Sequence, residues 1–272
     1  MAFFNYHTHT TYCDGKSTPE EIVLEAIRLG MDTIGFSGHA PCPGAEDYSV
    51  RDLEGYNECI ERLKDKYSDK IKILRGIERD IFAYDDNHDY DYVIGAFHNL
   101  YVDGKFYATD RSPEIIQASI DELCGGNAEA FAIRYMGFAK DIARVTGCDI
   151  IAHMDLVTKF NGDGENKLFD VRSEAYLAAV KEAVDENMKL CRLFEINAGA
   201  ISRGWRKTPY PDPAILDIIY DAGGKVTYGA DSHAKETLLL GFDQAEELLR
   251  KAGFRTVQRL GTGQALWDEV EL

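Results

Sequence analysis

Short apolar runs alternate with helical patterns along nearly the whole chain, and a titratable side chain stands at or just past the end of most of them. Residues 3–9, 33–36, 71–77, 92–97, 149–152, 193–196 and 226–228 read as strands. His7 and His9 form an H-x-H pair in F-N-Y-H-T-H, and His39 closes T-I-G-F-S-G-H. His98 closes V-I-G-A-F-H, His153 closes D-I-I-A-H, and His233 ends V-T-Y-G-A-D-S-H. Imidazoles delivered repeatedly from strand ends point to one shared metal centre.

Between the runs, helical periodicity covers 53–67, 113–123, 128–145, 171–188, 213–220 and 242–252, with a final short element at 255–260. Another helix opens at S-T-P-E-E: Thr18 can cap it, Pro19 suits its first turn, and Glu21 completes a capping box. Gly30 can end it. About seven strand–helix units of roughly 30–40 residues each fit an α/β barrel, one unit short of the usual eight. A doubly wound sheet would gather its ligands at one switch point, whereas here nearly every strand contributes one. Without a repeat, low-complexity tract or flexible linker, residues 1–272 read as one domain.

A net charge of -17 without clustered Lys and Arg argues against nucleic acid as a partner. A small phosphorylated substrate stays open if metal cations supply the positive charge. With neither an apolar run long enough to span a bilayer nor a secretory signal, a cytoplasmic protein is expected. The six cysteines are scattered without C-x-x-C, which suits free thiols; Cys13 and Cys42 lie near the histidine motifs.

His7 and His9, two apart on a strand, face the same side and can grip one ion; Asp231 and His233 repeat that spacing. Glu78 ends the strand run I-K-I-L-R-G-I-E, where a buried carboxylate needs a compensating partner, either a metal or one of the neighbouring arginines. Asp14 lies in a turn just beyond His9, and His88, in Y-D-D-N-H-D-Y-D, reads as an exposed loop histidine. His7, His9, Asp14, His39, Glu78, His98, His153, Asp231 and His233 exceed what one ion accepts, so more than one metal is implied. Imidazole and carboxylate without thiolate suit Zn, Mn or Fe.

H-T-H-T-T-Y-C-D-G, the G-H at His39, the I-E at Glu78, A-H-M-D-L-V around His153 and G-A-D-S-H at His233 resemble the motifs of the polymerase-and-histidinol-phosphatase (PHP) superfamily. They run in the family order from Phe3 to His233, and C-D-G with H-M-D-L-V-x-K-F is most similar to the monofunctional histidinol-phosphate phosphatases. The resemblance implies a distorted (β/α)7 TIM-like barrel with three divalent ions at the carboxyl ends of the strands. One ion would take His7, His9, Glu78 and Asp231; a second would share Glu78 and add His98 and His153. The third would take Asp14, His39 and His233. Some relatives carry histidine where Asp14 stands, and A-F-H-N around His98 departs from a serine-rich version.

The chemistry fits phosphoester hydrolysis: paired metals lower the pKa of a bridging water, whose hydroxide attacks phosphorus in line. Arg203 and Arg206, in S-R-G-W-R-K after Asn197, are candidate forks for the phosphate, with Arg203 preferred. Lys159 is a further cation, and Asn197 and Ser202 are candidate neutral donors. Glu78 and Asp231 would serve catalysis through the metals, and His233 or a bound water would protonate the leaving oxygen. The resemblance implies hydrolysis of L-histidinol phosphate to L-histidinol and phosphate, a step of histidine biosynthesis. The competing readings are a PHP phosphodiesterase or nucleotide phosphatase and, in another reaction class, an amidohydrolase-type deaminase. Against the last, no candidate for a bridging lysine stands out.

Overall fold

The computed structural model describes residues 3–84, 89–162, 167–261 and 267–272; His88 lies outside them. Strands and helices alternate as β1 (Phe4–Asn5), α1 (Pro19–Arg28), β2 (Thr33–Phe36), α2 (Leu53–Lys66), β3 (Lys72–Asp80) and β4 (Tyr92–Ala96). A hairpin of β5 (Asn99–Val102) and β6 (Lys105–Ala108) precedes α3 (Pro113–Cys124), α4 (Ala128–Ala139), α5 (Ile142–Thr146) and β7 (Ile150–Ile151). Then follow α6 (Glu174–Asn187), β8 (Leu193–Asn197), α7 (Gly199–Ser202), α8 (Pro213–Asp221), β9 (Lys225–Gly229) and α9 (Phe242–Ala252). β10 (Thr256–Leu260) and β11 (Trp267–Glu271) end the chain.

Seven strands form one parallel sheet in the order β1-β2-β3-β4-β7-β8-β9. Its two edges meet just past β1 and β9. There His9 N donates to Ser232 O at 2.8 Å and Ser232 N to His7 O at 3.1 Å. The sheet is thus a nearly closed, distorted (β/α)7 barrel, and the bonds closing it lie inside the H-x-H and D-S-H motifs. Tyr92 is buried beneath these motifs, its Oη 2.5 Å from Tyr6 O and 3.1 Å from Phe36 O. Gly35 and Gly76 leave room for it: a Cβ on either would lie 2.4 Å from that ring or its hydroxyl.

The cap of α1 forms as the sequence predicts. Glu21 N donates to Thr18 Oγ1 at 3.3 Å and Thr18 N to Glu21 Oε2 at 2.9 Å. Ile22, Val23 and Ala26 of its inner face are buried against β2 and α2. A larger core joins β4 and β7–β9 to α3, α4, α6, α8 and α9.

Two expectations differ. The first strand is regular only over Phe4–Asn5, because Asn5 Oδ1 accepts from His7 N at 3.1 Å and Ala230 N at 3.0 Å and interrupts the ladder. The helix expected over 128–145 is two, since Asn187 Oδ1 accepts from Ala143 N at 2.8 Å and starts α5 as a separate turn. The short element expected at 255–260 does form: it is β10, paired antiparallel with β11 and held to β9 by Thr227 Oγ1, which donates to Gln258 O at 2.8 Å. The β5–β6 hairpin turns at Asp103–Gly104, both at positive φ (51° and 83°), a signal present in V-D-G-K.

Candidate metal centre

β3 carries Glu78 into the mouth of the barrel, where its side chain is fully buried. Five imidazoles face it. His39 Nδ1 is 2.8 Å from Oε2, and His7 Nε2 and His9 Nε2 are 3.3 and 3.5 Å from the same oxygen. His153 Nε2 and His98 Nε2 lie 2.9 and 3.3 Å from Oε1. Local structure aims them. Alternation puts His7 and His9 on one side. A parallel bridge, with Glu78 N donating to Gly38 O and Ala40 N to Glu78 O, sets His39 beside Glu78. His98 and His153 follow β4 and β7 by two residues.

A rim continues this floor toward solvent. Asp231 Oδ1 is 3.3 Å from His9 Nε2, and Asp231 adopts a left-handed φ of 48°, a conformation that Asp enters more readily than most residues. Arg203 Nη2 donates to Asp231 Oδ2 at 2.7 Å and Nη1 to His233 Nδ1 at 2.9 Å. His233 Nε2 lies 3.1 Å from Asp14 Oδ2, and Asp14 Oδ1 lies 3.7 Å from His39 Nε2. All nine residues singled out in the sequence therefore meet in one continuous cluster.

The cluster has the donor chemistry of a metal site. Ligand atoms within 4.8 Å of one another group as His7, His9 and Glu78, and as His7, His153 and Asp231. The other groups are His39, Glu78 and His98, and His9, Asp14, His39 and His233. His7 Nε2, His9 Nε2 and Glu78 Oε2 are buried without a hydrogen-bond partner, an arrangement that costs free energy unless a cation joins them. Burial opposes ionisation of Glu78, but His39, His7, His98 and His153 outweigh it and hold its pKa well below the ordinary value. Burial also opposes charge on His7, yet Glu195, Glu78 and Asp231 raise its pKa. His9 goes the other way, to about 3, through burial and the neighbouring His233 and His39. A buried carboxylate thus collects positive charge while His9 keeps a free lone pair.

Residues 5–198 match the PHP domain. The chain belongs to the PHP domain family. A Schizosaccharomyces pombe protein named "Probable histidinol-phosphatase" is 26% identical over 94% of this chain and 89% of its own length. The histidinol-phosphatase of Lactococcus lactis is 26% identical over 93% of each chain. The crystal structure of histidinol phosphate phosphatase from Lactococcus lactis, complexed with Zn, L-histidinol and phosphate, superposes with a TM-score of 0.73 at 22% identity. That alignment covers 94% of this chain and 95% of that one. These likenesses agree with the seven-stranded barrel.

In this PHP domain the cluster opens on a cavity of about 190 Å³. Arg203 and Lys159 line it, Lys159 donating to Asp110 O at 2.6 Å. Asp110, Arg111 and Tyr48 also line it and were not anticipated. Three expected phosphate donors face elsewhere. Arg206 bonds Thr158 Oγ1, lies 3.5 Å from buried Asp155 and stacks over Tyr210, because that carboxylate needs a cation. Asn197 is fully buried, its Nδ2 on Glu195 Oε2 and its Oδ1 capping Gly199 N, both at 2.8 Å. Ser202 Oγ donates to Gly199 O at 2.8 Å within α7. Cys13 Sγ lies 3.6 Å from His9 Nδ1, Cys42 is buried, and all six cysteines are free. No helix among the described residues is long and apolar enough to cross a membrane.

Proposed function

We propose that the chain is a metal-dependent phosphomonoesterase that hydrolyses L-histidinol phosphate to L-histidinol and inorganic phosphate, with residues 1–272 acting as one catalytic domain. The carrying observation is the floor of five imidazoles around Glu78, opening on a small cavity with Arg203 in its wall. Membership of the PHP family and the histidinol-phosphatase names of its relatives direct that site to this substrate.

Three divalent ions, of Zn, Mn or Fe, fit the donor set. His7, His9, Glu78 and Asp231 would hold one, Glu78, His98 and His153 the second, and Asp14, His39 and His233 the third. When bound, such ions supply Lewis-acid charge to the phosphate oxygens and a water acidic enough to ionise near neutral pH. Glu78, with an oxygen toward each side of the floor, fixes the spacing of its holders. Arg203 receives the phosphate from the wall, and its guanidinium can fork onto two oxygens. Asp231 holds that guanidinium in place at 2.7 Å. His233, its Nδ1 accepting from Arg203 and its Nε2 turned to the third ion's group, has no proton to give, so a water at the rim would protonate the leaving oxygen. Arg206, Asn197 and Ser202 keep the surroundings of the site rigid.

Steady-state kinetics of the Mn- or Zn-loaded protein test this with histidinol phosphate, sugar phosphates, nucleotides and phosphodiesters. The expected outcome is the highest kcat/KM for histidinol phosphate, lost in chelator and restored by metal. Equal kcat/KM throughout would sink the assignment; a preference for diesters or nucleotides would replace it with another PHP activity.

A further inference from the structure

Glu195, on β8, is a buried carboxylate for which the hydrolysis has no direct use. Its Oε1 lies 2.7 Å from His7 Nδ1. Its Oε2 accepts from Asn197 Nδ2 at 2.8 Å and from His153 N at 3.4 Å. The second oxygen is thus committed to two donors, and the first is left for the imidazole. A carboxylate in that position accepts, so Nδ1 of His7 must carry its hydrogen. His7 then has only Nε2 to offer, the buried atom without a partner that faces Glu78 Oε2 at 3.3 Å.

The space for Glu195 comes from a missing side chain. A Cβ on Gly229 would lie 1.6 Å from Glu195 Oε1 and 2.4 Å from its Cδ. Gly229 pairs with Asn197 across β8 and β9, and its backbone is not in the positive-φ region, so glycine is needed there for room and not for conformation. Asp80 treats His98 in the same manner, Oδ2 accepting from the backbone N at 2.8 Å and lying 3.1 Å from Nδ1.

We infer that Glu195 is a positioning residue that locks His7 in its Nδ1–H form with Nε2 aimed at the metal site, and that Gly229 stays bare to admit it. The inference rests on His7 being a metal ligand. A ligand histidine gains basicity and a fixed ring orientation from such a partner, and losing one typically costs about 10–100-fold in metal affinity.

The test is zinc affinity by chelator competition, together with 15N-histidine spectra of the zinc-loaded protein. Wild type should show a solvent-protected His7 Nδ1–H signal. Glu195→Ala should lose that signal and bind one zinc about 10–100-fold more weakly. Glu195→Gln keeps the shape but only one acceptor oxygen, so it should fall between; it carries the test if the alanine variant does not fold. Gly229→Ala should reproduce Glu195→Ala, and the double variant should be no worse than Glu195→Ala, because the methyl then occupies vacated space. Unchanged zinc affinity with the His7 signal intact in both Glu195 variants would overturn the positioning role. Additive losses in the double variant would overturn the link to Gly229. A wild-type protein that takes up no zinc would instead remove the metal site on which the inference depends.

Discussion

The floor of the site and its rim are built from the same residue types but face opposite physical problems. On the floor, the side chains of His7, His9 and Glu78 are fully buried, and atoms of all three lack a hydrogen-bond partner. At the rim, the side chains of Asp14 and His233 are 33% and 20% exposed and already touch each other, with Arg203 bridging His233 to Asp231. Water can satisfy the rim, whereas only a cation can satisfy the floor. The floor should therefore hold its ions most tightly, while the rim, which would add the third ion, also sets how the substrate is gripped.

The largest effect that would break this division is on the floor. His153→Ala and Glu78→Gln should each lower kcat by at least about a thousandfold, the scale of losing a preorganised charge-stabilising group. Circular dichroism should show the fold retained. Full activity of His153→Ala would refute its ligand role.

Arg203→Ala should lower kcat/KM by about a hundredfold, or some 2.7 kcal/mol of transition-state binding, without removing metal. Arg203→Lys should recover only part, since lysine keeps the charge and loses the fork. Metal loss from Arg203→Ala would move the arginine from substrate gripping to support of the floor.

Chelation should lower the melting temperature of wild type. An ion at a hundred times its Kd adds about 2.7 kcal/mol, which is roughly 5–10 °C for a chain of this size. Floor variants should lose that shift, while Lys159→Met, whose ammonium is already held by Asp110, should keep it. An identical shift in floor variants would erase the distinction between the two regions. The smallest effect lies outside both: Thr18→Ala should cost about 1 kcal/mol in denaturant unfolding and leave kinetics unchanged.

The barrel and the cluster were legible for one reason: strand periodicity and strand-end chemistry coincide in the sequence. His7, His9, Glu78 and Asp231 each stand at or just past a predicted strand, and the fold brings those ends together. Glu195 was missed although L-F-E-I-N carries the signal that singled out Glu78, a carboxylate inside an apolar strand. Its meaning came only from a neighbour on another strand, Gly229, whose emptiness no local pattern reveals. Arg203 and Arg206 are three residues apart, and the short run from Asn197 favoured Arg203 without excluding Arg206 as a second fork. Buried Asp155, distant along the chain, draws Arg206 away from the mouth. The split of the expected helix over 128–145 likewise depended on Asn187 reaching across from α6.

The most direct test of the account is a metal titration of chelator-stripped protein, with phosphate release from histidinol phosphate as readout. Activity should be absent without metal, rise with added Zn or Mn, and level off near three equivalents. Undiminished turnover in the stripped protein, or a plateau with no hydrolysis of histidinol phosphate at any metal content, would contradict it.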